Sequence, residues 1–224
     1  MIRALMEKII TRLTRDGNRT FFETEFFPWV ASVEARSAAI RAELDSLLVH
    51  RDKIPNFQDI STDQNLLTEG DRWKTLFFYA YGHRAEQNCA RCPETARILR
   101  GIPGMKTAMF SILAPKKHVP EHRGPYKGVL RYHLGLIIPE PRTSCRIRVA
   151  NEVRSWQEGK SLIFDDSHLH EAWNDSESWR VVLFVDFLRP LPFPLSLLNR
   201  VMVWKISTTP FITDAMQRVR NSSS

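Results

Sequence analysis

Between residues 105 and 190 the chain is cut into short apolar segments by turn-forming residues, and this rhythm limits the fold more than any other feature. "KTAMFSIL", "VLRYHLGLII", "CRIRVA", "EVRSW", "SLIFDD", "LHEAW" and "WRVVLFVDFL" follow one another, with Pro-Glu-Pro, Ala-Asn-Glu, Glu-Gly-Lys and Asn-Asp-Ser among the breaks. Apolar runs of this length, bounded by turn residues, read as strands. In "CRIRVANEVRSW", Cys145, Ile147 and Val149 alternate with Arg146 and Arg148, the pattern of a hairpin with one face turned inward. Seven or eight such strands in about 85 residues predict a β-sandwich or jelly roll.

The flanks carry a different period. Ile2, Leu5, Met6, Ile9, Ile10 and Leu13 recur at helical spacing, with Arg3, Lys8, Arg12 and Arg15 largely opposite and Asp16-Gly17 as the stop. Two readings of this basic amphipathic helix stay open: one docked on the core, the other lying on an anionic membrane. A second helix is expected from about Trp29 to Val49, with Val33, Ile40, Leu44, Leu47 and Leu48 inward. His50 to Asp71 is polar and aperiodic, a length of loop that commonly borders a functional site. "RWKTLFFYAYG" reads as a buried strand and "PETARILRG" as a short helix ending in glycine. After Pro190–Pro194 the segments "LSLLNRVMVWKI" and "PFITDAMQRVR" turn helical, apolar and basic. The expected organisation is a helical region over 1–104 packed on the core, a β core over 105–190 and a helical tail over 191–224, together one domain.

Composition excludes some functions. With 224 residues, 43% apolar content, 9 glycines and 13 prolines, the chain is an ordinary globular protein. Thirty-two Lys and Arg against 25 Asp and Glu give +7, which suits an anionic partner without naming it. Nucleic acid is disfavoured, because the basic residues form no run interleaved with aromatics. No uncharged apolar run reaches the length that spans a bilayer. Glu7 and Lys8 interrupt the N-terminal apolar residues, so no secretory signal is expected and the cytoplasm is the expected location, with room for peripheral membrane contact. The 3 cysteines point to a reducing compartment. Cys89 and Cys92 have CxxC spacing but no second ligand pair, and Pro93-Glu94 reads as the first turn of a helix.

The residues that could carry chemistry lie in the β region. His122 is expected in a loop just before one strand, and His170 sits in a strand-like stretch after Asp165 and Asp166. Two imidazoles entering one barrel from separate strands can clamp a divalent iron and leave sites open for substrates, as in the two-histidine, one-carboxylate oxygenases. The carboxylate expected two residues after the first histidine is replaced by Gly124, so the pattern alone is a weak signal and favours solvent-exposed loop histidines over an iron site. Arg131 and His133 share a face of one strand, and Arg180 is embedded in "WRVVLFV". Buried cations need anions. Either a dicarboxylate lies between them, or Asp165, Asp186 or Glu171 pairs with them. His50, His83 and His118 have no comparable context.

The blocks "HRGPYKGVLRYHLGLIIP" and "CRIRVANEVRSWQEGKSLIFDDSHLHEAWNDSESWRVVLFVDFLRP" resemble the aspartyl/asparaginyl β-hydroxylase family of Fe(II)- and 2-oxoglutarate-dependent dioxygenases. The resemblance spans about residues 105–190 and extends loosely to "RWKTLFF" and "CPETARIL". It implies a mainly β fold, a double-stranded β-helix (jelly roll) core with N-terminal and C-terminal helices. It also implies His122 and His170 as iron ligands, Arg131 and His133 on the C1-carboxylate of 2-oxoglutarate, and Ser111 with Arg180 on the distal carboxylate. Oxygen is the other cosubstrate, and the implied reaction is hydroxylation of an unactivated C–H bond. Gly124 then marks the branch that leaves a coordination site to water, with Asp166 the residue chosen to orient it.

The resemblance divides on substrate. Position 129, where animal Asp/Asn hydroxylases carry a substrate-gripping arginine, is Val129, and the surrounding "PY.G.LRYHLGL" pattern looks more like bacterial enzymes that 2-hydroxylate lipid acyl chains. Gly124 stands on the Asp/Asn side. The expectation therefore favours the β-carbon of Asp/Asn or a related amino-acid or peptide side chain, with a lipid A or ornithine lipid acyl chain at an anionic membrane as the alternative. A non-catalytic jelly-roll binding module is the reading from another class. Trp73, Val129 and His168 are the expected pocket lining, His168 because the family usually has an aromatic there.

Overall fold

The computed structural model describes residues 2–60, 72–209 and 217–219. Residues 61–71 of the polar stretch, and most of the expected helix over "PFITDAMQRVR", lie outside the described residues.

Eleven strands among the described residues form two antiparallel sheets facing one another. The larger has the order β1 (Phe21–Phe22), β9 (Ser161–Phe164), β6 (Val129–Ile137), β11 (Arg180–Leu188), β4 (Met105–Leu113), β2 (Trp73–Ala80), β3 (His83–Arg84). The smaller has the order β5 (Lys117–His122), β10 (His170–Asn174), β7 (Cys145–Val149), β8 (Glu152–Ser155). This is a jelly roll with flanking helices. Strands before residue 105 belong to the large sheet, with β2 beside β4 in register from Trp73↔Leu113 to Tyr79↔Ala108.

Alternation along the strands makes two apolar layers. Outside the large sheet, Leu76, Phe78, Phe110, Ile112, Tyr132, Leu134, Leu183 and Val185 pack against α2 (Trp29–Glu34), α3 (Ser37–Leu48) and α6 (Pro93–Arg100). Between the sheets lie Met109, Leu113, Phe184, Val182, Ile147, Val149 and Trp156. The helix expected over Trp29–Val49 is broken between Glu34 and Ser37. The break puts Val30 and Val33 of one segment and Ile40 and Leu44 of the other into the same core, while Glu34 accepts the Ser161 N–H at 2.9 Å.

The predicted hairpin is β7–β8, closed through Ala150, which adopts φ 50°. His122 is not in a loop: it ends β5, whose register pairs it with His170 across to β10. The sequence "KHVPEH" hides this strand because it is polar and contains Pro120. Both are tolerated at a sheet edge, where a missing N–H breaks no ladder. Cys92 caps α6, and Cys89 and Cys92 are buried free thiols whose pKa is raised by burial, that of Cys92 to about 12, which keeps them protonated and inert.

Candidate active site

Pairing of β5 with β10 brings the two histidines together, their rings 4.1 Å apart between centroids. His122 Nδ1 lies 2.8 Å from the Pro120 carbonyl and His170 Nδ1 lies 3.0 Å from the His168 carbonyl. A carbonyl can only accept, so each Nδ1 carries the hydrogen and each Nε2 keeps a free lone pair. Burial lowers both pKa values, that of His170 to about 3 with His122 and Arg131 adding to it. The pair is thus held neutral, as a metal ligand must be. Among the described residues no group of three His, Cys, Asp or Glu is placed to hold a metal.

Asp166 answers the question posed by Gly124. The Gly124 N–H donates to the Asp166 carbonyl at 2.7 Å, and a Cβ on Gly124 would fall within the Asp166 carboxylate. One oxygen of that carboxylate, Oδ2, is 2.8 Å from Arg131 Nη2; the other is buried without a partner. Burial lifts the Asp166 pKa to about 7 against the pull of Arg131, with repulsion from Asp186 and Asp165 assisting.

The large sheet presents cross-strand rows toward these groups. Thr107, Asp186 and Arg131 form one; Met109, Phe184 and His133 the next; Ser111, Val182 and Gly135 the third. Arg131 donates from Nε to Asp186 at 2.9 Å and lies over the Phe184 ring at 4.2 Å. Of the two readings left open for the buried arginines, pairing with Asp186 therefore holds for Arg131, whose charge is already met by two carboxylates.

Arg180 differs. It is buried, its Nε and Nη1 have no partner, and its guanidinium lies 4.5 Å from the centre of the Trp156 ring. Burial draws its pKa down to about 10. Trp156 Nε1 and both nitrogens of His133 are likewise buried without partners, and His133 is enclosed by Trp156, Phe164 and Phe184. Ser111 Oγ accepts from Trp73 Nε1 at 3.0 Å. Orphaned donors around a buried cation call for an anionic, hydrogen-bonding group.

A cavity of about 250 Å3 opens beside His122. Phe57, Ile60, Trp73, Phe77, Met109 and Phe184 supply apolar lining, and Arg131, Asp166, Asp186, Lys106 and Arg123 are its charged groups. Trp73 and Val129 are among its lining. His168 is absent from the lining, a correction to its expected place: its Nε2 lies 3.3 Å from Lys127 Nζ and 3.8 Å from Asp165. It belongs to a neighbouring cluster in which fully buried Asp165 accepts from Lys127 at 2.8 Å, Arg189 at 2.5 Å and the Ser167 N–H at 3.0 Å. The reason is the turn at residues 165–168, which lets His168 fall outside the β10 alternation that sequence spacing assumed.

Sequence reasoning missed Phe57, Trp156 and Tyr81. Phe57 stacks on Trp73 with centroids 4.1 Å apart, and Tyr81 lines the cavity at φ 48°, a conformation that non-glycine residues rarely adopt. A tryptophan at the open end of the hairpin, its backbone N–H donating to the Cys145 carbonyl at 3.2 Å, was the one available signal for Trp156.

Comparison with known proteins agrees with the geometry. The family profile of aspartyl/asparaginyl β-hydroxylase matches residues 34–190. An ornithine lipid ester-linked acyl 2-hydroxylase of Rhizobium tropici is 48% identical over 213 residues, which are 95% of this chain and 76% of that one. The human aspartyl/asparaginyl β-hydroxylase is 39% identical over 173 residues, 75% of this chain but only 22% of that protein's length. Among solved structures, a cupin domain of a transcriptional regulator from Enterobacter cloacae aligns with a TM-score of 0.37 and 15% identity, covering 53% of this chain and 99% of that one. With the profile matching residues 34–190 and a 48% identical relative covering 95% of its length, the chain belongs to the aspartyl/asparaginyl β-hydroxylase family.

Proposed function

We propose that the protein is an Fe(II)- and 2-oxoglutarate-dependent dioxygenase that hydroxylates a lipid acyl chain next to its carbonyl. The observation that carries the substrate choice is the apolar cavity reaching His122, walled by Phe57, Ile60, Trp73, Phe77, Met109 and Phe184. An Asp or Asn side chain has a single methylene to set against such a wall, whereas an acyl chain gains about 0.8 kcal/mol for each of its many methylenes buried there. The Rhizobium relative, named for acyl 2-hydroxylation, supports the same reading.

The residues present fit the metal and the cosubstrate. His122 and His170 would hold the iron through their free Nε2 atoms. Arg180, with Ser111, His133 and Trp156 near it, would hold the dicarboxylate, since these buried donors lack other partners apart from the Trp73 bond to Ser111. Iron(II), when bound with 2-oxoglutarate and oxygen, supplies an oxidant for an unactivated C–H bond while 2-oxoglutarate leaves as succinate and CO2. The chain's own part is positioning and exclusion. The Nδ1–carbonyl bonds fix both rings, the aromatic wall keeps water from the reacting carbon, and Asp166, held by Arg131, directs its free oxygen as a hydrogen-bond acceptor or, when protonated, a donor.

Hydroxylation of an Asp or Asn β-carbon is the second reading, favoured by Lys106 and Arg123 in the cavity lining, which could meet an acidic side chain. Purified protein with Fe(II) and 2-oxoglutarate is offered an ester-linked acyl lipid or an Asp-containing peptide, and each is weighed by mass spectrometry for one added oxygen. Gain on the lipid alone supports the proposal; gain on the peptide alone replaces it with the second reading. Succinate release by the wild type but not by His122→Ala or His170→Ala tests the iron assignment, and no release by any of them would leave a binding module.

A further inference from the structure

The cavity wall has an outer side. Tyr126, which lines the cavity, packs in one apolar cluster with Met6 of α1 (Ile2–Leu13) and Val203 of α7 (Leu195–Ser207), and Ile9, Val129, Met202 and Ile206 close around them. Asn199 Nδ2 donates to the Gly128 carbonyl at 2.8 Å, which ties α7 to the 123–128 connection whose Arg123, Gly124, Pro125 and Tyr126 line the cavity.

Helix α7 uses only part of its apolar surface for this. Leu197, Val201 and Trp204 are 55%, 45% and 64% exposed, and Leu198 is 49% exposed. Positions 197, 201 and 204 fall in one stripe of a helix, and exposed Arg200 and Lys205 flank it on either side. No Asp or Glu occurs from residue 191 to 209. Beside it, α1 exposes Ile2 and Leu5 together with Arg3, Lys8 and Arg12.

A contiguous apolar stripe is costly to leave in water, and its basic borders say what should cover it. Lysine and arginine stems cover apolar surface while their heads reach outward, and tryptophan prefers the boundary between acyl chains and headgroups. A second copy of the chain would set Arg200 and Lys205 against their own kind, whereas an anionic bilayer satisfies the stripe and its borders together. No helix among the described residues is long and apolar enough to cross a membrane, so contact would lie in the plane of the surface.

We propose that α7, with α1 beside it, docks the protein on an anionic lipid bilayer, with Leu197, Val201 and Trp204 entering the interface. Docking there sets the cavity rim at exposed Arg123 and Pro125 close to the surface from which an acyl substrate comes. That consequence rests on the acyl-chain reading; the docking itself rests on α7.

Flotation with phosphatidylcholine vesicles, with and without phosphatidylglycerol, tests it on the full chain. The wild type should bind the mixed vesicles at least about tenfold more strongly than the neutral ones, and Leu197→Asp/Trp204→Asp should lose most of that binding. Arg200→Glu/Lys205→Glu should lose the preference for phosphatidylglycerol. The aspartate variant should still release succinate with detergent-dispersed lipid at the wild-type rate, which shows that it is folded. Equal vesicle binding by wild type and aspartate variant would overturn the proposal, as would a wild-type dimer that the same substitutions turn into a monomer without changing vesicle binding. Binding to vesicles with no oxygen added to any acyl chain would sink the substrate reading and leave the docking standing.

Discussion

Asp166 and Gly124 share one volume: the carboxylate of the first lies where any side chain of the second would begin. Gly124→Ala should therefore push Asp166 off Arg131. The expected cost is about 1–3 kcal/mol of stability from overpacking, together with a clear loss of succinate release. Placing Asp166→Gly in the same chain should remove most of the stability penalty but restore no activity. Additive stability losses in thermal unfolding of the four-member cycle would show that the two positions do not compete.

Arg180 is a buried cation without a hydrogen-bonded carboxylate, which reverses the usual sign of a buried-charge substitution. Arg180→Met should leave the ligand-free protein as stable as the wild type or more so, since an unpaired charge is removed. The same change should abolish the rise in melting temperature produced by 2-oxoglutarate and raise the 2-oxoglutarate requirement by about tenfold to a hundredfold, the worth of a charged hydrogen bond. An undiminished ligand-induced shift would take Arg180 out of the cosubstrate site.

His133 gives the pH dependence a definite sign. Burial first, then Arg131 and Arg180, hold its pKa well below the ordinary histidine value. The unfolded chain consequently takes up a proton below about pH 6.5 that the folded chain refuses, so stability falls on acidification, by about 1.4 kcal/mol per pH unit for this residue. His133→Gln should flatten that acid limb while leaving the slope above pH 7 alone. Chemical denaturation at a series of pH values reads the difference, and identical slopes would count against a buried neutral imidazole.

Asp165 should be less replaceable than either of its cations. Asp165→Asn leaves Lys127 and Arg189 buried and uncompensated, at about 3–5 kcal/mol, whereas Lys127→Met leaves Asp165 still paired with Arg189. Urea unfolding of the two variants should rank them in that order.

The barrel was legible because its inward residues alternate: Cys145, Ile147 and Val149 announce β7 without any long-range information. His122, His170 and Asp166 were legible through a motif whose order in the chain survives, and Arg180 through a charge set among apolar neighbours. What escaped depends on register and on turns. Strand β5 is polar and carries Pro120, so nothing local marks it, and without β5 the facing of His122 and His170 cannot be derived. Whether Arg131 met Asp186 or a ligand turned on a pairing between strands 55 residues apart in sequence. Phe57 reaches the cavity from an α-turn at Phe57–Ile60, far from the barrel motif, and no period in that stretch points there.

The two halves of the site lie on different sheets. His122 and His170 stand on the four-stranded sheet, while Ser111, His133 and Arg180 stand on the seven-stranded one. On the proposed function, a metal held by His122 and His170 and a dicarboxylate held by Arg180 would tie the two sheets to one another, so loading the site would stiffen the sandwich as well as complete the chemistry.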